Sequence, residues 1–243
     1  MSTSPGIQLQ GRHRIDGKLL FDVDLAIPAG RWTCLLGKSG VGKSTILRLI
    51  LGLETGGSFA GTFHATDNAP LDGRISYMAQ SDLLLPWLSV LENICIGARL
   101  RGDTPDLARA SRLLDRVGLS QHAAHKPATL SGGMRQRAAL ARTLFEDRPI
   151  VFLDEPFSAL DAGTRADMQE LAAEVLSGRT VLLVTHDPAE AARLADQITV
   201  LTTEGAQNWP VPVTPALRAI NEPDTLSCQA QLLDYLRGHK ACA

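Results

Sequence analysis

The stretch GKSGVGKST at residues 37–45 follows the apolar run TCLL at residues 33–36 and leads into a helical pattern. A strand, the pattern G-x-x-x-x-G-K-[ST] and a helix, in this order, are typical of a phosphate-binding loop. The loop glycines can adopt backbone angles closed to residues with a Cβ, so consecutive N–H groups can surround a phosphate. The following helix directs its positive N-terminal end at the same anion. The segment therefore predicts phosphate binding rather than a glycine-rich turn with an exposed lysine.

Two side chains of this loop supply charge and a metal ligand. Lys43 is placed to reach the β- and γ-phosphates of a nucleotide, and the Ser44 hydroxyl is placed to ligate Mg²⁺. We therefore predict that the loop binds a nucleotide with Mg²⁺. The predicted contacts come from Gly37, Lys38, Ser39, Gly40, Val41, Gly42, Lys43, Ser44 and Thr45.

Composition excludes some classes of protein. The chain has 243 residues and a formal charge of −2, which gives no reason to expect nucleic-acid binding. Cys34, Cys95, Cys228 and Cys242 are widely spaced, and the N-terminus has no apolar signal segment. Both features favour a cytosolic protein with reduced thiols. No apolar run approaches the roughly 18 residues that a membrane span needs.

The rest of the chain alternates between strand and helix patterns. Apolar runs predict strands at residues 7–9, 19–27, 32–36, 74–78, 150–153, 180–184 and 198–202. Residues 82–147 have helical patterns and little strand character. The alternation predicts an α/β fold with a parallel sheet, interrupted by an all-helical insertion. A proline-containing tail follows residue 205 and carries one amphipathic stretch at residues 226–236.

Helix boundaries inside the insertion are indicated by capping residues. Thr104 followed by Pro105 predicts a helix start, and Gly118 predicts the end of that helix. Ser131 predicts the start of the next helix. The expected apolar stripe of the first helix consists of Leu107, Leu113, Leu114 and Val117.

Two carboxylates follow the buried strand pattern of IVFLDEP at residues 150–156. Ligands of open α/β sheets bind at the carboxyl ends of strands. Asp154 is therefore predicted to hold Mg²⁺, and Glu155 to polarise a water for attack on the γ-phosphate. Two adjacent acids alone are also compatible with a solvated turn.

The segment LSGGMRQR at residues 130–137 provides a second helix start that suits an anion. Ser131, Gly132 and Gly133 open this helix in a chain with only one phosphate loop. The helix start is either a cap and nothing more, or it meets a nucleotide bound elsewhere. His186 and Gln80 each follow a predicted strand, and neither has a specific signal on its own.

Taken in order, these segments resemble the ATP-binding cassette family over about residues 7–205. The resemblance implies a P-loop NTPase fold with a RecA-like parallel sheet core, an N-terminal antiparallel β part and a helical subdomain at about residues 82–147. It divides the chain into a nucleotide-binding domain at residues 1–205 and a short tail at residues 206–243. The implied activity is ATP hydrolysis with Mg²⁺.

The resemblance also implies a role for each segment. Glu155 is the general base, His186 contacts the γ-phosphate, and Gln80 touches Mg²⁺ and the attacking water. Ser131, Gly132 and Gly133 form the family signature, which binds ATP held by the other subunit of a head-to-tail homodimer. Asp161 lies in the loop that crosses the same interface. No nucleic-acid partner is expected.

Two positions depart from the family pattern. Met134 stands where the common signature has Gln, which removes a polar contact near the ribose. The family also stacks an aromatic residue on adenine, about two dozen residues before the loop, where this chain has His13 and Arg14. Either side chain is a candidate substitute for the aromatic ring.

The stretch QSDLLLPWLSVLENI at residues 80–94 is unusually apolar for a surface segment. It is either core or a protein contact. In the family this region receives a membrane permease. Its sequence is similar to that of the importer ATPases for nitrate, sulfonates, taurine and thiamine precursors. It is most similar to ATPases for hydroxymethylpyrimidine. The implied location is peripheral, on the cytoplasmic face of the inner membrane.

The importer interpretation implies permease subunits and a periplasmic or lipid-anchored solute-binding protein as partners. Three other functions fit part of the pattern. An exporter or lipoprotein-release ATPase shares the chemistry, and a non-transport cassette protein uses nucleotide binding as a clamp. A small-molecule kinase would leave the signature and the His186 strand unexplained.

Overall fold

The computed structural model describes residues 4–238 and contains two β-sheets. The strands are β1 (Ile7–Ile15), β2 (Lys18–Ile27), β3 (Trp32–Leu36), β4 (Ser58–Ala65), β5 (Ile75–Met78), β6 (Ile150–Asp154), β7 (Thr180–Thr185), β8 (Gln197–Thr202) and β9 (Gly205–Trp209). The helices are α1 (Lys43–Ile50), α2 (Val90–Ile94), α3 (Ile96–Leu100), α4 (Leu107–Arg116), α5 (Gly132–Phe145), α6 (Ala162–Val175), α7 (Pro188–Leu194) and α8 (Pro223–Arg237).

The larger sheet has the strand order β5-β6-β7-β3-β8-β9, and all its pairs are parallel except β8 with β9. Every residue of β3, β6 and β7 is buried, as expected for strands covered on both faces. The smaller antiparallel sheet has the order β2-β1-β4, and its alternating burial places one face on the core. The predicted α/β fold with an N-terminal antiparallel part is confirmed.

The strand order explains why distant segments meet. The strands β5, β6, β7 and β3 are consecutive neighbours and run parallel, so their carboxyl ends share one edge of the sheet. Gln80, Glu155, His186 and the loop at residues 37–42 each follow one of these four strands. The edge is therefore where the candidate site has to form.

Helices α2 to α5 form the insertion between β5 and β6, and one predicted boundary there is wrong. Helix α4 begins after Asp106, whose carboxylate accepts a hydrogen bond from the Arg109 backbone N–H, so Thr104 and Pro105 lie before the cap. An aspartate is at least as good a cap as threonine, and its charge suits the positive helix end. Leu107 is 52% exposed, since this start turns it away from the core.

The chain beyond residue 205 continues the sheet, a feature that the sequence did not indicate. Strand β9 pairs antiparallel with β8, and α8 packs against α7 with Leu232 fully buried. Strand β9 has no hydrophobic pattern because it contains the polar residues Gln207 and Asn208. Polar residues are usual in a strand at the edge of a sheet. The division of the chain at residue 205 stays a prediction.

The state of the cysteines and the character of the helices can be compared with the expectations from the sequence. Cys34, Cys95 and Cys228 are buried free thiols, and Cys242 lies outside the described residues. Among residues 4–238, no helix combines the length and apolar character that a membrane span requires.

Candidate active site

The phosphate loop is shaped by close backbone approach and by its lysine. A Cβ on Gly37 would lie 2.5 Å from the Leu201 carbonyl oxygen, and Gly42 has φ +102°, so both positions favour glycine. Lys43 begins α1, and its Nζ donates to the carbonyl oxygens of Gly37 at 2.7 Å and Lys38 at 2.9 Å. The ammonium is thereby held beneath the loop.

The charge of Lys43 is set by opposing effects. Burial lowers its pKa, while the carboxylates of Glu155 and Asp154 raise it. These acids lie at and just after the end of β6, and their negative charge favours the charged ammonium. The Lys43 ammonium therefore lies beneath the loop, and two carboxylates favour its charged form.

Asp154 and Ser44 bring two oxygen donors together at the same edge. Asp154 is almost fully buried at the end of β6, and its burial raises its pKa while a hydrogen bond from Ser44 lowers it. A hydroxyl and one carboxylate are the hard oxygen donors that Mg²⁺ takes beside nucleotide phosphates. The residues present therefore fit the predicted metal.

The three predicted catalytic side chains converge on one carboxylate. Gln80 Nε2 donates to Glu155 Oε2 at 3.2 Å, and His186 Nδ1 lies 3.1 Å from Glu155 Oε1. A cavity of about 320 Å³ adjoins Glu155 and His186 and is also lined by Ser158 and Arg165. Glu155 is largely buried, whereas His186 is 63% exposed and faces the open side. The arrangement brings a carboxylate, an amide and an imidazole together at one point of the site.

The backbone around His186 is fixed by a buried glutamate that the sequence did not single out. Thr185 Oγ1 donates to Glu190 Oε2 at 2.7 Å and accepts from the Asp187 N–H at 3.0 Å. Burial raises the pKa of Glu190 to about 7, although the Thr185 hydrogen bond opposes this shift. The residues on both sides of His186 are therefore anchored, and the only sequence signal was an acid in the first turn of α7.

The signature segment forms an exposed helix start. Ser131 caps α5 by accepting a hydrogen bond from the Met134 N–H at 3.2 Å, and both Ser131 and Gly132 are exposed. A Cβ on Gly133 would lie 3.3 Å from the Ala159 carbonyl oxygen, so this end of α5 adjoins the turn before α6. The predicted cap is confirmed, and among residues 4–238 the N–H groups of Gly132 and Gly133 have no hydrogen-bond partner.

The interpretation of His13 as a stacking residue is wrong. Its side chain is fully buried, packs on Phe21 at 5.4 Å between ring centroids and bonds to Thr55 Oγ1 at 2.8 Å. Burial also lowers the pKa of His13. Arg14 is exposed at the adjacent position of β1, so stacking by its guanidinium stays a prediction.

The apolar segment at residues 83–88 divides between core and surface. Leu84 is 8% exposed, whereas Leu83 is 61% and Trp87 is 65% exposed. The buried Asn93 side chain accepts from the Leu85 N–H and donates to the carbonyl oxygens of Leu85 and Leu88 in this segment and of Ser89 just after it. Arg142 donates to the Leu83 carbonyl. The backbone is thus tied down while two large apolar side chains face outward. We call residues 83–88 the apolar platform.

The sequence profile of the ABC transporter family matches residues 20–158, more than half of the chain. The chain belongs to the ABC transporter family. As an ABC cassette it is an ATPase.

Several bacterial ABC proteins are similar over most of this chain. An uncharacterized ABC transporter ATP-binding protein of Haemophilus influenzae is 41% identical over 234 residues, covering 93% of this chain and 95% of that protein. The aliphatic sulfonates import ATP-binding protein SsuB 1 of Rhodococcus jostii is 44% identical over 214 residues, covering 82% and 80%. SsuB of Escherichia coli K12 is 46% identical over 199 residues, covering 80% and 75%.

Among solved structures, the ABC cassette fold recurs in a dimeric assembly. The ATP-binding cassette MJ0796, in a dimeric post-hydrolysis state bound to ADP and Pi, superposes with a TM-score of 0.71 at 29% identity, covering 88% of this chain and 99% of that chain. A bacterial Atm1-family ABC exporter superposes with a TM-score of 0.74 at 21% identity and shares the fold. The predicted P-loop NTPase fold is confirmed.

Proposed function

We propose that this chain is the ATP-hydrolysing subunit of a bacterial importer and drives a membrane permease. The observation that carries the proposal is the placement of the apolar platform, which begins three residues after Gln80. Gln80 itself bonds the carboxylate of Glu155. A surface that can receive a permease is thus joined by one short segment to the hydrolytic centre.

In the proposed reaction, each residue of the site has a separate role in ATP hydrolysis. Glu155 accepts a proton from the attacking water, and its neighbours Gln80 and His186 orient that water and the γ-phosphate. Lys43 and the loop N–H groups bind the β- and γ-phosphates. Ser44, Asp154 and Gln80 would hold Mg²⁺, which neutralises charge on the phosphates when bound.

The exposed start of α5 supports a head-to-tail homodimer. Ser131, Gly132 and Gly133 offer N–H groups and a positive helix end to an anion, and they lie at the start of a helix of 14 residues. In the proposed dimer that anion is the γ-phosphate of ATP held by the partner subunit. The dimeric state of the MJ0796 cassette supports this arrangement.

Complementation between two defective subunits tests the dimer. We expect Ser131→Arg and Lys43→Ala subunits each to have little activity alone, and partial ATPase activity to return when they are mixed. In the mixed dimer, one composite site carries both defects and the other carries neither. Phosphate release from mixtures at varied ratios measures the recovery.

The control for mixing is a pair of subunits that both carry Lys43→Ala and Ser131→Arg, which no exchange of subunits can rescue. If the mixture of single variants yields only the sum of the two separate activities, Ser131 does not act on the partner's nucleotide.

The apolar platform is proposed as the permease contact, with Trp87 as its anchor. Large aromatic anchors at interface centres often contribute about 2 kcal/mol or more, equivalent to about thirtyfold in affinity. We therefore expect Trp87→Ala to weaken permease binding about thirtyfold while the melting temperature and basal ATPase activity stay unchanged, because the side chain is mostly exposed. A pull-down against the permease and a thermal melt measure the two effects.

Leu100 provides a matched control, because it is 79% exposed on α3 and lies outside the platform. Leu100→Ala should leave permease binding unchanged. A large fall in melting temperature for Trp87→Ala would instead identify Trp87 as a core residue and would contradict the contact.

The proposed solute belongs to the group transported by importers of nitrate, sulfonates, taurine and thiamine precursors. The similar proteins named for aliphatic sulfonate import support this group, and the sequence of residues 81–87 and 139–149 suggests hydroxymethylpyrimidine within it. The ATPase then works on the cytoplasmic face of the inner membrane with a permease and a solute-binding protein. Vesicles reconstituted with all three components, assayed for ATP-dependent uptake of a sulfonate and of hydroxymethylpyrimidine, test the importer and its solute together.

A further inference from the structure

The backbone of Glu155 has an unusual conformation that several hydrogen bonds maintain. Its φ is +50°, in the left-handed region that residues with a Cβ seldom adopt. The Glu155 N–H donates to the Val184 carbonyl at 2.8 Å. The Glu155 carbonyl accepts from Gln136 Nε2 at 2.9 Å and from Ser158 Oγ at 3.0 Å. Such a conformation persists only when the surrounding groups hold it.

Gln136 is the member of this set that comes from the helical insertion. It lies on α5, is 7% exposed and reaches across to a carbonyl 19 residues further along the chain. A buried amide that gives its N–H to a strained peptide fixes the direction in which that residue's side chain leaves the backbone. The carboxylate of Glu155 would change direction if this peptide relaxed.

Gln136 also connects two functional ends of the protein. Five residues before it, Ser131 begins the exposed helix start, about 7.5 Å away along the axis at 1.5 Å per residue. Any displacement of α5 that follows contact at Ser131 would therefore act directly on the Glu155 peptide. This connection runs through α5, the Gln136 side chain and the Glu155 backbone, and it involves no side chain that takes part in hydrolysis.

We infer that Gln136 is a positioning residue that holds the left-handed backbone of Glu155 and links it to the signature end of α5. The inference rests on the proposed role of Glu155 as the general base. Gln136 acts through the Glu155 carbonyl and contacts no reacting atom. It ties the signature of one subunit to the hydrolytic centre of that same subunit.

The test removes the donor and keeps the size of the side chain. In full-length Gln136→Met we expect kcat for ATP hydrolysis to fall about ten- to a hundredfold, because misplacement of a catalytic group by about 1 Å can cost a hundredfold. KM and ATP affinity should stay unchanged, since the phosphate loop is intact. A loss of ATP binding, or an unchanged kcat, would overturn the inference.

Gln169→Met is the matched control. Gln169 is a buried glutamine on α6, 4% exposed, and its Oε1 accepts from Arg193 away from Glu155. The same substitution there should alter thermal stability but leave kcat per folded protein unchanged. An equal fall in kcat in both variants would show a general effect of core damage and would contradict a specific role for Gln136.

A second variant serves if Gln136→Met does not fold. Gln136→Glu keeps the shape of the side chain, and at alkaline pH its carboxylate accepts rather than donates, so kcat should fall at least as far. Wild-type kcat in this variant overturns the inference.

A comparison with Glu155→Gln distinguishes an error in the proposed base from an error in the role of Gln136. If Glu155→Gln hydrolyses ATP normally, the proposed base is wrong and the inference fails with it. If Glu155→Gln is slow but Gln136→Met is normal, only the inference fails. In the double variant, Gln136→Met should not lower kcat below that of Glu155→Gln alone. A further fall in kcat as large as that of Gln136→Met alone would show that Gln136 acts independently of Glu155, which would overturn the inference.

Discussion

Replacing Glu155 by glutamine is expected to leave ATP binding intact and to slow hydrolysis about a thousandfold, within the range of general-base effects. The amide cannot accept the proton of the attacking water. Gln80 and His186 both contact this carboxylate, so the substitution also changes their shared partner. Phosphate release under saturating ATP measures the rate, and a binding titration with ATP measures the affinity.

The same variant should accumulate as an ATP-bound dimer, because the step that reopens the dimer is blocked. Size-exclusion chromatography with ATP detects the larger species. Glu174→Gln makes the same chemical change at an exposed acid on α6 that pairs with Arg116, and turnover should be normal there. Near-normal turnover in Glu155→Gln would show that another group is the base.

Lys43→Ala has the second large expected effect, on ATP binding itself. The substitution removes the ammonium that lies beneath the loop and leaves the carbonyls of Gly37 and Lys38 without their donor. Loss of one partner of a desolvated charge pair costs about 3 kcal/mol, which corresponds to at least a hundredfold weaker binding. A titration with a fluorescent ATP analogue measures the affinity.

A thermal melt of Lys43→Ala checks that the fold is intact. Lys126→Ala removes an exposed lysine from the loop before α5 and should bind ATP as the wild type does. If Lys43→Ala retained wild-type affinity, the loop would not be the phosphate site.

Local patterns predicted the parts of the fold whose reason lies in neighbouring residues. The buried strands β3, β6 and β7 are short apolar runs, and the loop glycines are required by local backbone geometry. The cap at Ser131 follows from the same kind of local hydrogen bonding. By contrast, β9 has no apolar pattern of its own, and its pairing with β8 makes it a strand.

Side-chain environments were less predictable, because they depend on residues distant in the chain. His13 is buried by Phe21 across a hairpin and by Thr55, which lies 42 residues away. The sequence around His13 does not indicate either contact. Gln136 was likewise missed, since its partner Glu155 lies 19 residues further along the chain. Glu190 was missed because its burial, and not its distance from Thr185, is what the sequence does not indicate.

The sequence by itself determined the α/β class, the phosphate loop and the chemical types at each strand end, because glycine freedom, apolar runs and carboxylates act locally. Only the tertiary structure decided which of these groups meet. The parallel order β5-β6-β7-β3 gathers Gln80, Glu155 and His186 at one sheet edge, and the hydrogen bonds of Asn93 hold a backbone from which Trp87 projects outward while Leu84 is buried. Burial and contact are properties of the packed chain, so a single sequence does not state them.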